Sequence, residues 1–307
     1  MDARIAVIIP CFNEEASIDT VVSDFRKVLS EAAIYVYDNN STDATVEKAG
    51  EAGAIIRTEK RQGKGYVVRR MFADIEADIY ILVDGDNTYS ADVAKVAVDK
   101  LIAEGLDMLN IARKDMSQAA YRTGHRFGNK MLTSIVKIIF SRNIDDLLSG
   151  YRVFSKRYVK SFPAYSTGFE IETELTVHAL ELGMPIGEIF APYKERPEGS
   201  ASKLNTIRDG VRILWTILRL MKDEKPLVTF SSVSLVLFLL SFVLGFSITM
   251  EFMETGLVPR MPTAILSVGV MILSFLSLIA GVILDTVTRG RKEMKQLFYL
   301  RFSRLGE

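Results

Sequence analysis

Asp84 and Asp86 stand one glycine apart at the end of the apolar run Ile79-Tyr80-Ile81-Leu82-Val83. Two carboxylates that close repel each other unless a cation lies between them, and hard divalent cations take oxygen ligands and substrate phosphates. The pair reads as a metal–diphosphate site, although an Asp-x-Asp by itself is more often a polar turn after a strand. Two other polar groups follow short apolar runs in the same way: Asn13 and Glu14 after Ile5–Pro10, and Asp38 with Asn39 and Asn40 after Ile34–Tyr37. A carboxylate or amide so placed can read a base edge or a ribose hydroxyl. Gly63-Lys64-Gly65 opens a helix and offers a phosphate contact there, or is simply a turn. No Gly-x-Gly-x-x-Gly follows the first strand and no Walker-type loop occurs, which argues against dinucleotide redox chemistry and P-loop hydrolysis.

An anionic acceptor would need cations, and arginine's planar fork suits phosphate. Arg113, Arg122, Arg126, Arg152, Arg196 and Lys203 are the candidates, although for each taken alone a solvated surface charge is the more common explanation. Residues 121–142 carry Arg122, His125, Arg126, Lys130, Lys137 and Arg142 with no acid, and Leu132, Ile135, Val136 and Ile139 share one helical face. That is a basic amphipathic helix, lying on an anionic bilayer surface or facing a core. Residues 207–221 repeat the pattern, with Trp215 among the apolar positions. The loop Glu198–Lys203 could close over a site and bring Lys203 to a phosphate. Asp146, before a predicted strand Gly150–Phe154, is a candidate near the reacting groups.

Residues 3–112 alternate strand and helix. Strands are expected at 5–10, 34–37, 54–57, 79–83 and 108–112. Helices are expected at 14–30, 42–52 (capped by Ser41), from 65 to about 77, and at 92–104, with a further helix from Glu170 to Leu182. Such alternation predicts a doubly wound, mainly parallel sheet with helices on both faces, and ligands then gather beyond the carboxyl ends of the strands. Lys plus Arg and Asp plus Glu both number 38, so net charge gives no case for nucleic acid. The single cysteine, Cys11, excludes an internal disulfide. No signal peptide is expected, because the first apolar run is short and ends at Pro10.

Residues 227–250 and 264–286 are almost wholly apolar and long enough to cross a bilayer as helices. The connector 251–263 has net charge −1, whereas 203–225 has +3 and the tail from 289 has +4. Basic outer flanks predict a hairpin with both termini cytoplasmic. The expected layout is a cytoplasmic domain 1–203, an interfacial helix 204–226, a two-span hairpin 227–288 and a basic cytoplasmic tail 289–307.

Val7-Ile8-Ile9-Pro10-Cys11-Phe12-Asn13-Glu14-Glu15, Asp38-Asn39-Asn40-Ser41-Thr42-Asp43, Gly63-Lys64-Gly65 and Asp84-Gly85-Asp86 resemble, in order, the motifs of family 2 glycosyltransferases with the GT-A fold. Asp146-Leu147-Leu148-Ser149-Gly150-Tyr151-Arg152, Gly168-Phe169 with Glu174, and the stretch from Arg196 to Leu204 resemble the polyprenyl-phosphate sugar synthases, dolichol-phosphate mannose synthase and its bacterial membrane-anchored relatives among them. Two positions depart from the pattern: Asp38-Asn39-Asn40-Ser41 stands where Asp-Asp-Gly-Ser is usual, and Thr88 where Gln is common. The resemblance implies inverting transfer of a hexose from a UDP- or GDP-linked donor to a polyprenyl phosphate at the cytoplasmic face of a bilayer, the bacterial inner membrane. Asp38 would contact the base, with Pro10, Asn13 and Glu14 shaping the nucleotide pocket. Asp84 and Asp86 would hold Mg²⁺ or Mn²⁺. Lys64, Arg113, Arg196 and Ser202 would line the donor and phosphate site, with Asp86, Asp146, Arg126 and Lys203 nearest the chemistry. It also implies a homo-oligomer, a tetramer being one form open to it. A processive polysaccharide synthase, or another membrane transferase using a hydroxyl acceptor, is the alternative. Trp215 follows Val211-Arg212-Ile213-Leu214, so the Gln-x-x-Arg-Trp motif of processive synthases is absent.

Overall fold

The computed structural model describes residues 3–114, 133–134, 136–137, 140, 144–164, 168, 170–194, 215, 219 and 221–303. The chain divides into two units, Met1–Ile213 with Met294–Glu307, and Leu214–Glu293.

The first unit is built on seven strands: β1 (Ile5–Cys11), β2 (Ala33–Asp38), β3 (Ile55–Thr58), β4 (Ile79–Leu82), β5 (Met108–Lys114), β6 (Arg152–Ser155) and β7 (Ile186–Pro192). They lie in the order β3-β2-β1-β4-β6-β5-β7. All neighbours are parallel except β6, which runs antiparallel between β4 and β5. The mainly parallel, doubly wound expectation holds. Strand alternation divides the core between two faces. Val7, Ile9, Ile81 and Val83 point into one cluster with Val22 and Phe25 of α1 (Ile18–Val28) and Val98 and Leu101 of α4 (Val93–Ala103). Ile8, Tyr80 and Leu82 point into the other, with Val68 and Met71 of α3 (Lys64–Asp74), Tyr158 of α5 (Lys156–Ser161) and Leu175 of α6 (Ile171–Glu181). Burial on both faces explains why the strands read as unbroken apolar runs.

Two helices begin later than their sequence pattern predicts, and for one reason. The Ser41 and Asn40 amides donate to Asp38, and the Thr42 amide donates to Asn13 Oδ1. These amides are diverted to side chains, so α2 runs Thr45–Glu51. Ser41 caps no helix; its hydroxyl accepts the Asn13 amide at 2.9 Å. The Glu14 amide donates to the Thr45 hydroxyl, and α1 starts only at Ile18. The sequence reading missed α5 and the edge strand β7.

Residues 294–303 belong to this first unit. Tyr299 donates its hydroxyl to the buried Asp107 at 2.7 Å, beneath the Arg157 guanidinium. Lys295 pairs with the buried Glu181 at 2.6 Å. Next to Glu181, on the same helix, His178 is 2 % exposed, with Nε2 3.1 Å from the Ser161 hydroxyl. Burial, aided by the Lys295 charge, pulls its pKa from 6.5 down to about 3. The folded protein therefore binds fewer protons than the unfolded chain between those values. Stability is fully present above pH 6.5 and falls by about 1.4 kcal/mol per pH unit as pH drops toward 3. Urea unfolding of wild type and His178→Gln from pH 7 to 4.5 checks this: the variant should lose about that much of the slope. Parallel curves would show that another group governs acid lability.

The second unit holds α7 (Pro226–Thr255) and α8 (Met261–Leu300, whose last turns lie in the first unit). Both are long and apolar enough to cross a membrane. Inside this unit the buried positions recur at every seventh residue, at Ser234, Ser241 and Ile248 on one helix and at Ser267, Ser274, Gly281 and Thr288 on the other. A seven-residue repeat of small residues lets two helices wrap closely. The Ser241 hydroxyl donates to Ser267 O, Ser274 to Ser234 O and Ser277 to Phe230 O, at 2.7–3.0 Å. A Cβ on Gly281 would lie 2.9 Å from that of Phe230.

Candidate active site

The carboxyl ends of β1, β2, β4 and β5 lie along one edge of the sheet, and the start of β6 returns to it. Every sequence-predicted site residue within the described part of the chain sits along that rim or at the helix start beside it.

At β1 and β2 the loops are laced together. Asn13 and Asn40 take left-handed backbone angles, φ 53° and 68°, as does Asn87 after β4, φ 55°. Asparagine tolerates this region better than most residues. Asp38 is 5 % exposed and its carboxylate accepts the amides of Asn40 and Ser41. Pro10 pairs with Tyr37 just inside the rim. The departure at Asn39 now has a physical reason. Its buried amide nitrogen donates to Glu59 O at 2.8 Å and Arg61 O at 2.7 Å, and its oxygen accepts the Gly63 amide at 2.7 Å. Only an amide can do both. Asn39→Asp would turn two donors into a carboxylate facing two carbonyls, at an expected cost of about 3 kcal/mol. Chemical unfolding reads this directly, and a loss under 1 kcal/mol would show that the loop rearranges.

At β4, Gly85 is required: a Cβ there would sit 2.7 Å from Cys11 Sγ, and its carbonyl accepts the Ser17 hydroxyl. Cys11 is a buried free thiol that burial pushes far up in pKa, so it is inert. Asp86 is 3 % exposed; its Oδ1 accepts the Thr88 hydroxyl at 2.5 Å and the Thr88 amide at 3.2 Å. Thr88 is thus a brace for Asp86. Asp84 keeps a side chain 30 % exposed, and its Oδ1 accepts from Lys64 Nζ at 2.6 Å. Lys64 also reaches Glu172 Oε1 at 2.6 Å. Burial alone would lower the Lys64 pKa, but the two carboxylates outweigh it and hold the ammonium protonated.

At β5, Arg113 and Asp146 form a two-pronged ion pair, Nε and Nη2 at 2.6 and 2.7 Å from the two carboxylate oxygens. Arg113 also lies 5.4 Å over the Tyr193 ring. The loop carrying Asp146 is fastened along its length. Glu188 of β7 accepts the Asp145 and Asp146 amides, Asn110 donates to Asp146 O, and the Ser149 hydroxyl donates to Ile111 O. Arg152, weighed above as a phosphate ligand, is not one. It is fully buried and donates to Leu147 O, Ser149 O and the Thr176 hydroxyl. Gly150 follows, its amide donating to the Tyr89 hydroxyl and its α-carbon against the Asp84 carboxylate. Burial raises the pKa of Tyr89, which also feels the charges of Arg113, Asp84 and Asp146. That phenol links the two halves of the site.

The sequence reading missed Glu172, Glu188, Gly150 and the brace formed by Thr88. Arg122, His125, Arg126, Arg196, Ser202 and Lys203 lie outside the described residues, as does most of both amphipathic stretches. Among the described residues no group of three His, Cys, Asp or Glu side chains converges for a metal. Two carboxylates alone nonetheless suit Mg²⁺ or Mn²⁺, which fill their remaining positions with substrate phosphate and water.

The Glycosyl transferase family 2 model matches residues 6–162. Glycosyltransferase AglJ of Haloferax volcanii is 31 % identical over 296 residues, 95 % of this chain and 97 % of that protein. A dolichyl-phosphate hexose transferase of the same organism is 24 % identical over 221 residues, 72 % of this chain and 95 % of its own length. Among solved structures, glucosyl-3-phosphoglycerate synthase from Mycobacterium tuberculosis, crystallised with Mn²⁺, UDP-glucose and phosphoglyceric acid, matches with a TM-score of 0.57 at 19 % identity, over 71 % of this chain and 79 % of that one. This last likeness shows the fold alone.

Proposed function

Because this chain belongs to glycosyl transferase family 2 and is a glycosyltransferase of the GT-A fold, we propose that it moves a hexose from a UDP- or GDP-linked donor to a polyprenyl phosphate, with inversion at the sugar carbon, on the cytoplasmic side of a membrane. The observation that carries this reading is the shared rim. It carries Asp84 and Asp86, one glycine apart beyond β4, and an arginine, Arg113, gripped by Asp146. The relative named for dolichyl-phosphate hexose transfer and the two long apolar helices support the lipid acceptor.

In this reading Asp38 and the laced loops of Asn13 and Glu14 hold the nucleoside. Asp84 and Asp86 hold Mg²⁺ or Mn²⁺, which when bound neutralises the charge gathering on the departing diphosphate. A polyprenyl monophosphate has its second pKa near about 6 and is already a nucleophilic dianion at neutral pH. No dedicated general base is then needed, and the protein's task is to steer two anions together. Asp146 aims Arg113 for that purpose, and Arg126, Arg196, Ser202 and Lys203 are the further candidates.

The test is a donor screen. Purified full-length protein in detergent is given Mn²⁺ or Mg²⁺, a panel of UDP- and GDP-sugars and a polyprenyl phosphate, and the lipid is weighed by mass spectrometry. The expected product is the lipid phosphate plus one hexose. Transfer to a different acceptor with the lipid untouched would defeat the acceptor assignment.

A further inference from the structure

Lys64 lies at the amino end of α3 with its ammonium between two carboxylates, Asp84 Oδ1 and Glu172 Oε1, each 2.6 Å away. The Lys64 and Glu172 side chains are 9 % and 8 % exposed, whereas Asp84 keeps 30 %. We propose that Lys64 is a built-in cation of the donor site, neutralising Asp84 until a divalent ion takes that carboxylate, and that Glu172 is the positioning residue that keeps the ammonium paired during the exchange. This rests on the reading of Asp84 and Asp86 as the cation seat.

Two aspartates one glycine apart carry an unfavourable repulsion when no cation is present. An ammonium relieves it with three donors that can serve two carboxylates at once. If Asp84 were the only acid at hand, a divalent ion claiming it would strand a buried, unpaired ammonium, and a lone buried charge is costly. Glu172 removes that obstacle, because the ammonium keeps one full partner whichever way Asp84 turns.

Glu172 is also fixed in place. It sits in the first turn of α6, where its carbonyl accepts the Thr176 hydroxyl, and Thr176 in turn accepts from the buried Arg152. The other end of the helix is tied through Glu181 to Lys295. A carboxylate on so restrained a helix does not follow Asp84 toward an incoming ion. The ammonium has a stationary partner and a movable one.

The experiment titrates Mn²⁺ alone into full-length protein in detergent and reads the free ion by its paramagnetic resonance signal, with thermal unfolding as the check on folding. Glu172→Gln should bind Mn²⁺ about tenfold more weakly, since the ammonium then loses its stationary carboxylate and holds Asp84 harder. The paired variant Lys64→Met/Glu172→Gln removes the competitor together with its buried partner and should bind Mn²⁺ more tightly than wild type by a similar factor. A merely structural role would weaken both variants, and that result, or two affinities within twofold of wild type, would overturn the proposal. If Glu172→Gln does not fold, the sign of the paired variant decides. Asp86→Asn reports on the seat itself: it should lose Mn²⁺ binding, and if it binds like wild type the cation-seat reading fails rather than the exchange.

Discussion

Asp86→Asn is expected to lower kcat/KM for glycosyl transfer by about a thousandfold or more at any divalent-cation concentration, a loss at the upper end of what one group facing transition-state charge supplies. The substitution keeps size and shape, and an asparagine oxygen can still accept the Thr88 hydroxyl and amide that now reach Asp86 Oδ1. What disappears is one negative charge at a site 3 % exposed, where little water screens it. The variant should therefore unfold with nearly the wild-type midpoint while its transfer rate collapses. Retention of more than a tenth of wild-type activity, in a protein shown to be folded, would mean that Asp86 is a turn residue and no more.

The second large effect is expected from the smallest change. Gly150→Ala adds one methyl group directly against Asp84 Oδ2 and 2.6 Å from its Cγ. One of the two must move. The loop is poorly placed to do so, because the Gly150 amide is bound to Tyr89, the Ser149 hydroxyl to Ile111 and the carbonyls of Leu147 and Ser149 to Arg152. The carboxylate gives way instead, and its 2.6 Å contact with Lys64 goes with it. A displacement of about 1 Å in a positioned group costs on the order of a hundredfold in rate, while the overpacking itself costs about 1–3 kcal/mol of stability. Steady-state kinetics beside an unfolding curve separates the two. Activity within threefold of wild type would show that the loop yields.

Much of the site could be read from the chain because its chemistry sits at strand ends. Ile5–Pro10, Ile34–Tyr37 and Ile79–Val83 announce buried strands by composition, and whatever polar residues follow must lie at one rim once the strands are parallel. The placing of Asp38, Asp84 and Asp86 follows from that alone. Glu172 gave no such signal: it stands among Glu170, Glu172 and Glu174, and its meeting with Lys64 across 108 residues depends on how α6 packs. Arg152 misleads for a related reason. A lone arginine in a strand looks like a ligand until three acceptors are found around it, two of them main-chain carbonyls that no sequence displays. The edge strand β7 is mostly half-buried, carries a charge at Glu188 and ends in a proline, so its pattern is weak. Its parallel pairing with β5 comes from far along the chain.

The seam around Asp107 has a bearing on how the protein is made. Tyr299, which closes over that carboxylate, is encoded 192 residues later, and a ribosome adding about 5–20 residues per second reaches it roughly 10 to 40 seconds after Asp107 emerges. Both apolar helices are translated in that interval. The nascent domain must wait for Tyr299 to complete the set of donors that Ser155 and Arg157 begin around that acid, so a premature stop ahead of Tyr299 would leave the seam unfinished in a sheet whose seven strands had all been synthesised.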